Sequence, residues 1–170
     1  MVKLTDFEIS FSGLKLGAHQ FKFQIEDAFF QLFDNAELSS GQINAIILLQ
    51  KKINMLELEF QITGKATLAC DICTDDYIQS IEGNYKQIVK FSDITEVEEM
   101  DEIIILPKNE HKLEIAHQLY EFIHLSLPSR RIHSDEADCN QEIIEKLEEL
   151  AYQEPERIDP RWSALQSLNK

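Results

Sequence analysis

The chain predicts an α+β fold: an antiparallel β-meander able to curl towards a barrel, with two or three helices packed at one side, mainly in the C-terminal part. Three observations carry this expectation. Apolar residues alternate at period two through most of 42–91, short polar breaks separate the alternating runs, and helical apolar spacing takes over from Leu113. A chain of 170 residues with 44% hydrophobic residues can bury a sizeable core as one domain. We divide that single domain, 1–170, into an N-terminal lobe at 1–40, an antiparallel sheet at 41–107 and a helical part at 108–170.

Phe7, Ile9 and Phe11 share one face of an extended segment that ends at Ser12-Gly13, and Phe21, Phe23 and Ile25 repeat the alternation. Phe29, Phe30 and Phe33 then fall at the spacing of a short helix or turn. The β-pattern proper occupies 42–51, 55–63, 65–70 and 77–91. Leu56, Leu58, Phe60 and Ile62 make one apolar face, with Glu57, Glu59 and Gln61 on the other. Residues 50–54 and the pair Thr63-Gly64 read as turning points between strands. In 95–102 five of eight residues are carboxylates, which predicts a solvated loop. Ile103 to Leu106 before Pro107 reads as a last buried strand, and 108–111 as a turn. A helix over 113–126 presents Ile115, Leu119, Phe122 and Ile123 as one stripe and stops at Pro128. A second helix over 142–152 sets Ile143, Leu147, Leu150 and Ala151 against a face of glutamates. The segment 159–168 is a small amphipathic tail with Trp162, the chain's single tryptophan, beside Leu165 and Leu168.

The charge balance is acidic, with 16 basic against 31 acidic residues and a formal charge of −15. That sign disfavours an extended phosphate-binding surface, and so DNA or broad nucleic-acid binding. It suits a basic protein partner, although high acidity also serves plain solubility. No run approaches the ~20 apolar residues of a membrane span, and the N-terminus lacks a basic region followed by an apolar signal core. The expected compartment is the cytoplasm, where three cysteines are better suited to metal ligation or burial than to a disulfide framework.

Two of the cysteines close the tetrapeptide Cys70-Asp71-Ile72-Cys73 at the end of an apolar strand, and the third is Cys139. A C-x-x-C pair brings two sulfurs within reach of one Zn²⁺ or of each other. His133, six positions before Cys139, adds an imidazole, so Cys70, Cys73, His133 and Cys139 form a candidate four-ligand zinc site. The residues leave other readings open: thiol–disulfide exchange, or inert thiols with no metal. A thioredoxin-like site needs a helix starting at its first cysteine to lower the thiol pKa, and Cys70 instead ends a β-pattern.

Other chemistry is sparse. His117 and His124 lie two helical turns apart, too far for a joint metal site, and His19 and His111 sit in turn-rich surroundings. There is no G-x-S-x-G elbow, no phosphate-cradling glycine loop and no H-E-x-x-H helix, and the whole chain has five glycines. The sequence therefore predicts a protein that is not an enzyme. Arg130 and Arg131, next to His133, are the compact basic spot near the cysteines and a candidate phosphate contact.

The C-x-x-C at a strand end, the amphipathic helix running into Leu125-Ser126-Leu127-Pro128-Ser129-Arg130-Arg131-Ile132-His133, then Cys139 and the tail at 159–168 together resemble the YceD family. That family is described as large ribosomal RNA subunit accumulation proteins, and the resemblance runs from about Ile43 to the C-terminus. Cys70 and Cys73 match its first cysteine pair. His133 and Cys139 match its second pair, which is two cysteines in many members, and the histidine here keeps a metal ligand while lowering the thiol count. Trp162 stands where the family often shows phenylalanine.

The resemblance implies a non-enzymatic factor in large-subunit biogenesis that supports accumulation or stability of large-subunit ribosomal RNA. Its partners would be the subunit precursor, a ribosomal protein or ribosomal RNA. The acidic balance favours protein contacts, or one small basic patch at Arg130 and Arg131. Two alternatives come from other classes: a zinc-stapled interaction module without a ribosomal role, and a thiol oxidoreductase built on Cys70 and Cys73.

Overall fold

The computed structural model describes residues 2–33, 38, 40–92 and 103–151. The chain divides into two compact units, Met1–Ile132 and His133–Lys170. The first is an α+β unit containing β1 (Glu8–Ser10), β2 (Gly17–Ile25), α1 (Asp27–Phe30), β3 (Gly41–Lys51), β4 (Met55–Ala69), β5 (Asp76–Ser92), β6 (Ile103–Pro107), β7 (Lys112–Glu114) and α2 (Ala116–Leu125). Five strands form one sheet in the order β2-β3-β4-β5-β6, and β1 pairs with β7 in a separate two-stranded ribbon. Residues 95–102 and 159–168, expected to be a solvated loop and an amphipathic tail, lie outside the described residues.

The pairing from β2 to β5 is antiparallel throughout, as the alternation requires. Ile43, Ala45, Ile47 and Leu49 of β3 and Leu56, Leu58, Phe60 and Ile62 of β4 are all buried on one face. Thr63-Gly64, expected to be a turning point, is instead the middle of the uninterrupted 15-residue β4. Gly64 pairs with Ile43, and a Cβ there would run into the carbonyl of Gln42 and the Cα of Ile43. The missing side chain thus serves close approach of two backbones and makes no turn. The last strand also differs from a meander, since β6 runs parallel to β5. A parallel neighbour cannot be reached through a two-residue hairpin, and ten residues separate the two strands in sequence.

Around the sheet, Phe7, Ile9 and Phe11 are buried as their alternation predicts, although Phe7 closes a 3₁₀ turn (Leu4–Phe7). Ile9 lies opposite Leu113, and the Ile115 amide donates to the Phe7 carbonyl at 3.0 Å, so 112–114 becomes strand and the helix starts later than its apolar spacing suggests. The predicted stripe of α2 is buried as expected. Phe122 stacks on Tyr85 with ring centres 4.6 Å apart and meets Phe60 edge-on at 5.0 Å, which seats the helix on β4 and β5. Gly83 makes room for this seat: a Cβ there would strike Ser126 Oγ and the Tyr85 ring.

The second unit contains a 3₁₀ turn (Glu136–Asp138) and α3 (Gln141–Leu150). Asn140 caps α3, its side chain accepting from the Glu142 amide at 3.2 Å. Ile143 and Ile144 are half-buried, whereas Leu147 and Leu150 are exposed. Among the described residues no helix is long and apolar enough to cross a membrane.

Candidate metal centre

The turn between β4 and β5 is built around the cysteine pair. The Cys70 amide donates to the Asp75 carbonyl at 2.9 Å, and the Thr74 amide donates back to the Cys70 carbonyl at 2.9 Å. This closes the chain over 70–75 with both cysteines buried, Cys70 at 2% exposure and Cys73 at 0%. The Ile72 amide points at Cys70 Sγ, 3.4 Å away. Thr74 adopts the left-handed region at φ 64°, where a β-branched residue is strained, and its hydroxyl donates to the Cys73 carbonyl at 2.6 Å.

Asp71 ties this turn to a distant segment of the same unit. Its amide donates to the Arg131 carbonyl at 2.6 Å, and its Oδ2 accepts from the Arg131 amide at 2.7 Å. Arg131 is half-buried, while Arg130 is exposed. Tyr77, at the start of β5, reports the electrostatics of the turn. Burial pushes its phenol up, Cys70 and Asp71 push it further by their negative charge, and the Arg131 guanidinium partly offsets them. The sequence offered no sign of this clasp beyond an aspartate inside a turn, a residue type suited to accepting local backbone bonds.

In the second unit the chain from His133 to Cys139 folds back on itself. Asp135 Oδ1 accepts from the Ala137 amide at 2.9 Å, and its carbonyl accepts from the Asp138 amide at 3.1 Å. The turn carries Cys139 Sγ to 3.4 Å from His133 Nδ1. A His/Cys spacing that is loose in sequence is therefore tight in space. Cys139 is 5% exposed, and its carbonyl accepts from Gln141 Nε2 at 3.1 Å.

The chemistry of the donors fits zinc. In the first unit Cys70 and Cys73 offer two sulfurs, and in the second His133 and Cys139 offer an imidazole nitrogen and a sulfur; these are the ligand types that Zn²⁺ takes, four at a time. Burial of the thiols suits a structural centre, because a reactive thiol needs solvent access.

The description "large ribosomal RNA subunit accumulation protein YceD" belongs to a family model that matches residues 58–169, a stretch that begins inside β4 and takes in both halves of the cysteine set. No curated protein and no solved structure matches the chain. Since the match covers well over half of the 170 residues, the chain belongs to the YceD family of large ribosomal RNA subunit accumulation proteins.

Proposed function

We propose that this protein is a non-enzymatic factor of large-subunit biogenesis, acting in the cytoplasm, that sustains large-subunit ribosomal RNA by holding proteins of the assembling particle on an acidic surface. The family match over 58–169 carries this reading. Electrostatics supports the type of contact: a chain of net charge −15 attracts basic proteins at a distance and repels bare phosphate over most of its surface.

In this reading Cys70, Cys73, His133 and Cys139 hold one Zn²⁺, and the whole chain works as one domain. The metal supplies four bonds that cross-link segments some sixty residues apart in sequence, and its binding energy becomes folding energy. Arg130 and Arg131 would then lie beside the metal turn as a small contact patch, Arg131 anchored through its backbone to Asp71. The deciding experiment is depletion of the protein followed by measurement of large- and small-subunit ribosomal RNA. Loss of the large-subunit species relative to the small supports the proposal, and an unchanged ratio overturns it. Recovery of large-subunit proteins with the tagged chain at low salt tests the protein contacts directly.

A further inference from the structure

β2 is an end strand of the five-stranded sheet, and it bonds β3 along its whole length, from Gly17 opposite Lys51 to Ile25 opposite Ile43, without a break in register. Beyond β3, the hydrogen bond it makes among the described residues is that of His19 Nε2 with the Lys15 carbonyl, at 2.8 Å. An open edge presents a row of backbone donors and acceptors, and proteins ordinarily blunt it with proline, a bulge, charges or a very short strand. The other side of the sheet follows that rule. β6 has five residues and ends at Pro107, and the part of β5 that β6 leaves unpaired carries exposed Asp76, Glu82 and Lys86. β2 has nine residues, no proline, no bulge and a single charge, Lys22.

Composition and burial set this edge apart. β2 and β3 carry no carboxylate, although the chain has 31 acidic residues. Two copies of a chain of charge −15 repel each other over most of their surfaces, and along β2 they can approach without acid facing acid. On the core side, Ala45, Ile47 and Leu49 of β3 are at most 1% exposed, whereas Phe23, Phe21 and His19 opposite them are half-buried. The core thins towards β2 and leaves two phenylalanine rings partly in water, apolar area that a further strand would cover. The strand is also complementary to itself. Antiparallel pairing of two copies about Phe21 sets Phe21 opposite Phe21 and His19 opposite Phe23 on the core side, with Gln20 opposite Lys22 and Ala18 opposite Gln24 on the outer side. Aromatic rings meet across the seam and no like charges face each other. A two-fold axis at Phe21 makes the contact isologous, so it closes at two copies.

We propose that the free edge of β2 is a homodimer interface, where a second copy of this chain pairs antiparallel about Phe21 and the two five-stranded sheets become continuous. Dimer formation is independent of the ribosomal reading, and its failure leaves that reading untouched. Nine residues a side is fewer than the ~20–30 of a standard interface, so the dimer should dissociate on dilution. The test is sedimentation of the full chain over a wide concentration series, repeated on variants at exposed outer-side positions. The unaltered chain should pass from monomer to dimer as concentration rises. Gln20→Lys sets a lysine opposite Lys22 of the second copy, twice by symmetry, and should raise the dissociation constant about fivefold or more, whereas Gln20→Glu should lower it. The exchange Gln20→Lys with Lys22→Glu restores unlike charges across the seam and should recover the affinity of the unaltered chain, which also shows that the weakened variant is folded. A monomer at every concentration overturns the proposal and leaves the edge to a strand of another protein. A dimer of equal strength in all these variants overturns it as well, because the contact then lies on another surface.

Discussion

Asp71 and Arg131, sixty residues apart in sequence, hold each other by two reciprocal bonds: the Asp71 amide to the Arg131 carbonyl at 2.6 Å, and the Arg131 amide to Asp71 Oδ2 at 2.7 Å. The clasp joins the middle of the C-x-x-C turn to the segment that follows α2. His133 is two peptide units further on, so the chain itself limits it to about 7 Å from the Arg131 Cα. Asp71→Ala removes the side-chain acceptor, with an expected cost of about 1 kcal/mol of stability. It should also weaken zinc retention roughly 10- to 100-fold, as loss of a ligand-orienting group does. Urea unfolding and chelator competition measure the two effects, and an unaltered zinc affinity would remove the clasp from the metal site.

Metal content tests the site itself. Protein purified without chelator should carry about one zinc per chain, and a Cys70→Ser, Cys73→Ser double variant should carry almost none. Strong chelation of the natural protein should lower its melting temperature, since metal binding and folding are coupled. Metal-free protein with an unchanged melting temperature would leave the cysteines as packed thiols.

Lys51 is a structural cation, since its ammonium satisfies three backbone carbonyls of 11–14. Lys51→Met keeps much of the stem and leaves those acceptors without their charged donor. A loss of about 2 kcal/mol is expected, with partial recovery in Lys51→Arg. A loss below about 0.5 kcal/mol would mean that water replaces the ammonium at no cost.

The two close-packed glycines should respond unequally. At Gly64 an added methyl meets backbone of β3, which cannot move without disturbing the sheet, whereas at Gly83 it meets the Ser126 and Tyr85 side chains. Gly64→Ala is expected to cost about 3 kcal/mol or more and Gly83→Ala nearer 1 kcal/mol. Thermal and urea unfolding of both variants give the comparison, and the reverse order would contradict the packing described.

Tyr77 makes stability depend on alkaline pH. Its folded phenol holds its proton above the ordinary value of 10.0, so between the unfolded and folded pKa values the unfolded chain has lost a proton that the folded chain keeps. Stability contributed by Tyr77 is therefore fully present below pH 10.0 and declines as pH rises through the folded pKa. Tyr77→Phe should show a shallower loss of stability across that window, and identical alkaline profiles would exclude the effect.

Much of the site could be read early because its signals are local. Cys70 and Cys73 are three positions apart at a strand end, and His133 and Cys139 lie within one turn-length segment. Their candidacy as ligands follows from what thiolates and imidazoles bind. Asp71, Thr74 and Tyr77 escaped notice because their importance lies in what faces them, and no spacing reveals a partner sixty residues away.

By itself the sequence determined the α+β class, the buried alternation of β3 and β4, the apolar stripe of α2, the candidate ligands and the family. Each is set by side-chain period or by residue chemistry within a short window. Tertiary structure decided that β4 runs straight through Gly64, that β6 lies parallel to β5, that 112–114 is strand, and that Asp71 clasps Arg131. Those outcomes depend on which distant backbone supplies the hydrogen bonds. A glycine or an aspartate has the same local preferences whether it ends a strand or lets another segment come close, and only the partner across the sheet distinguishes the two.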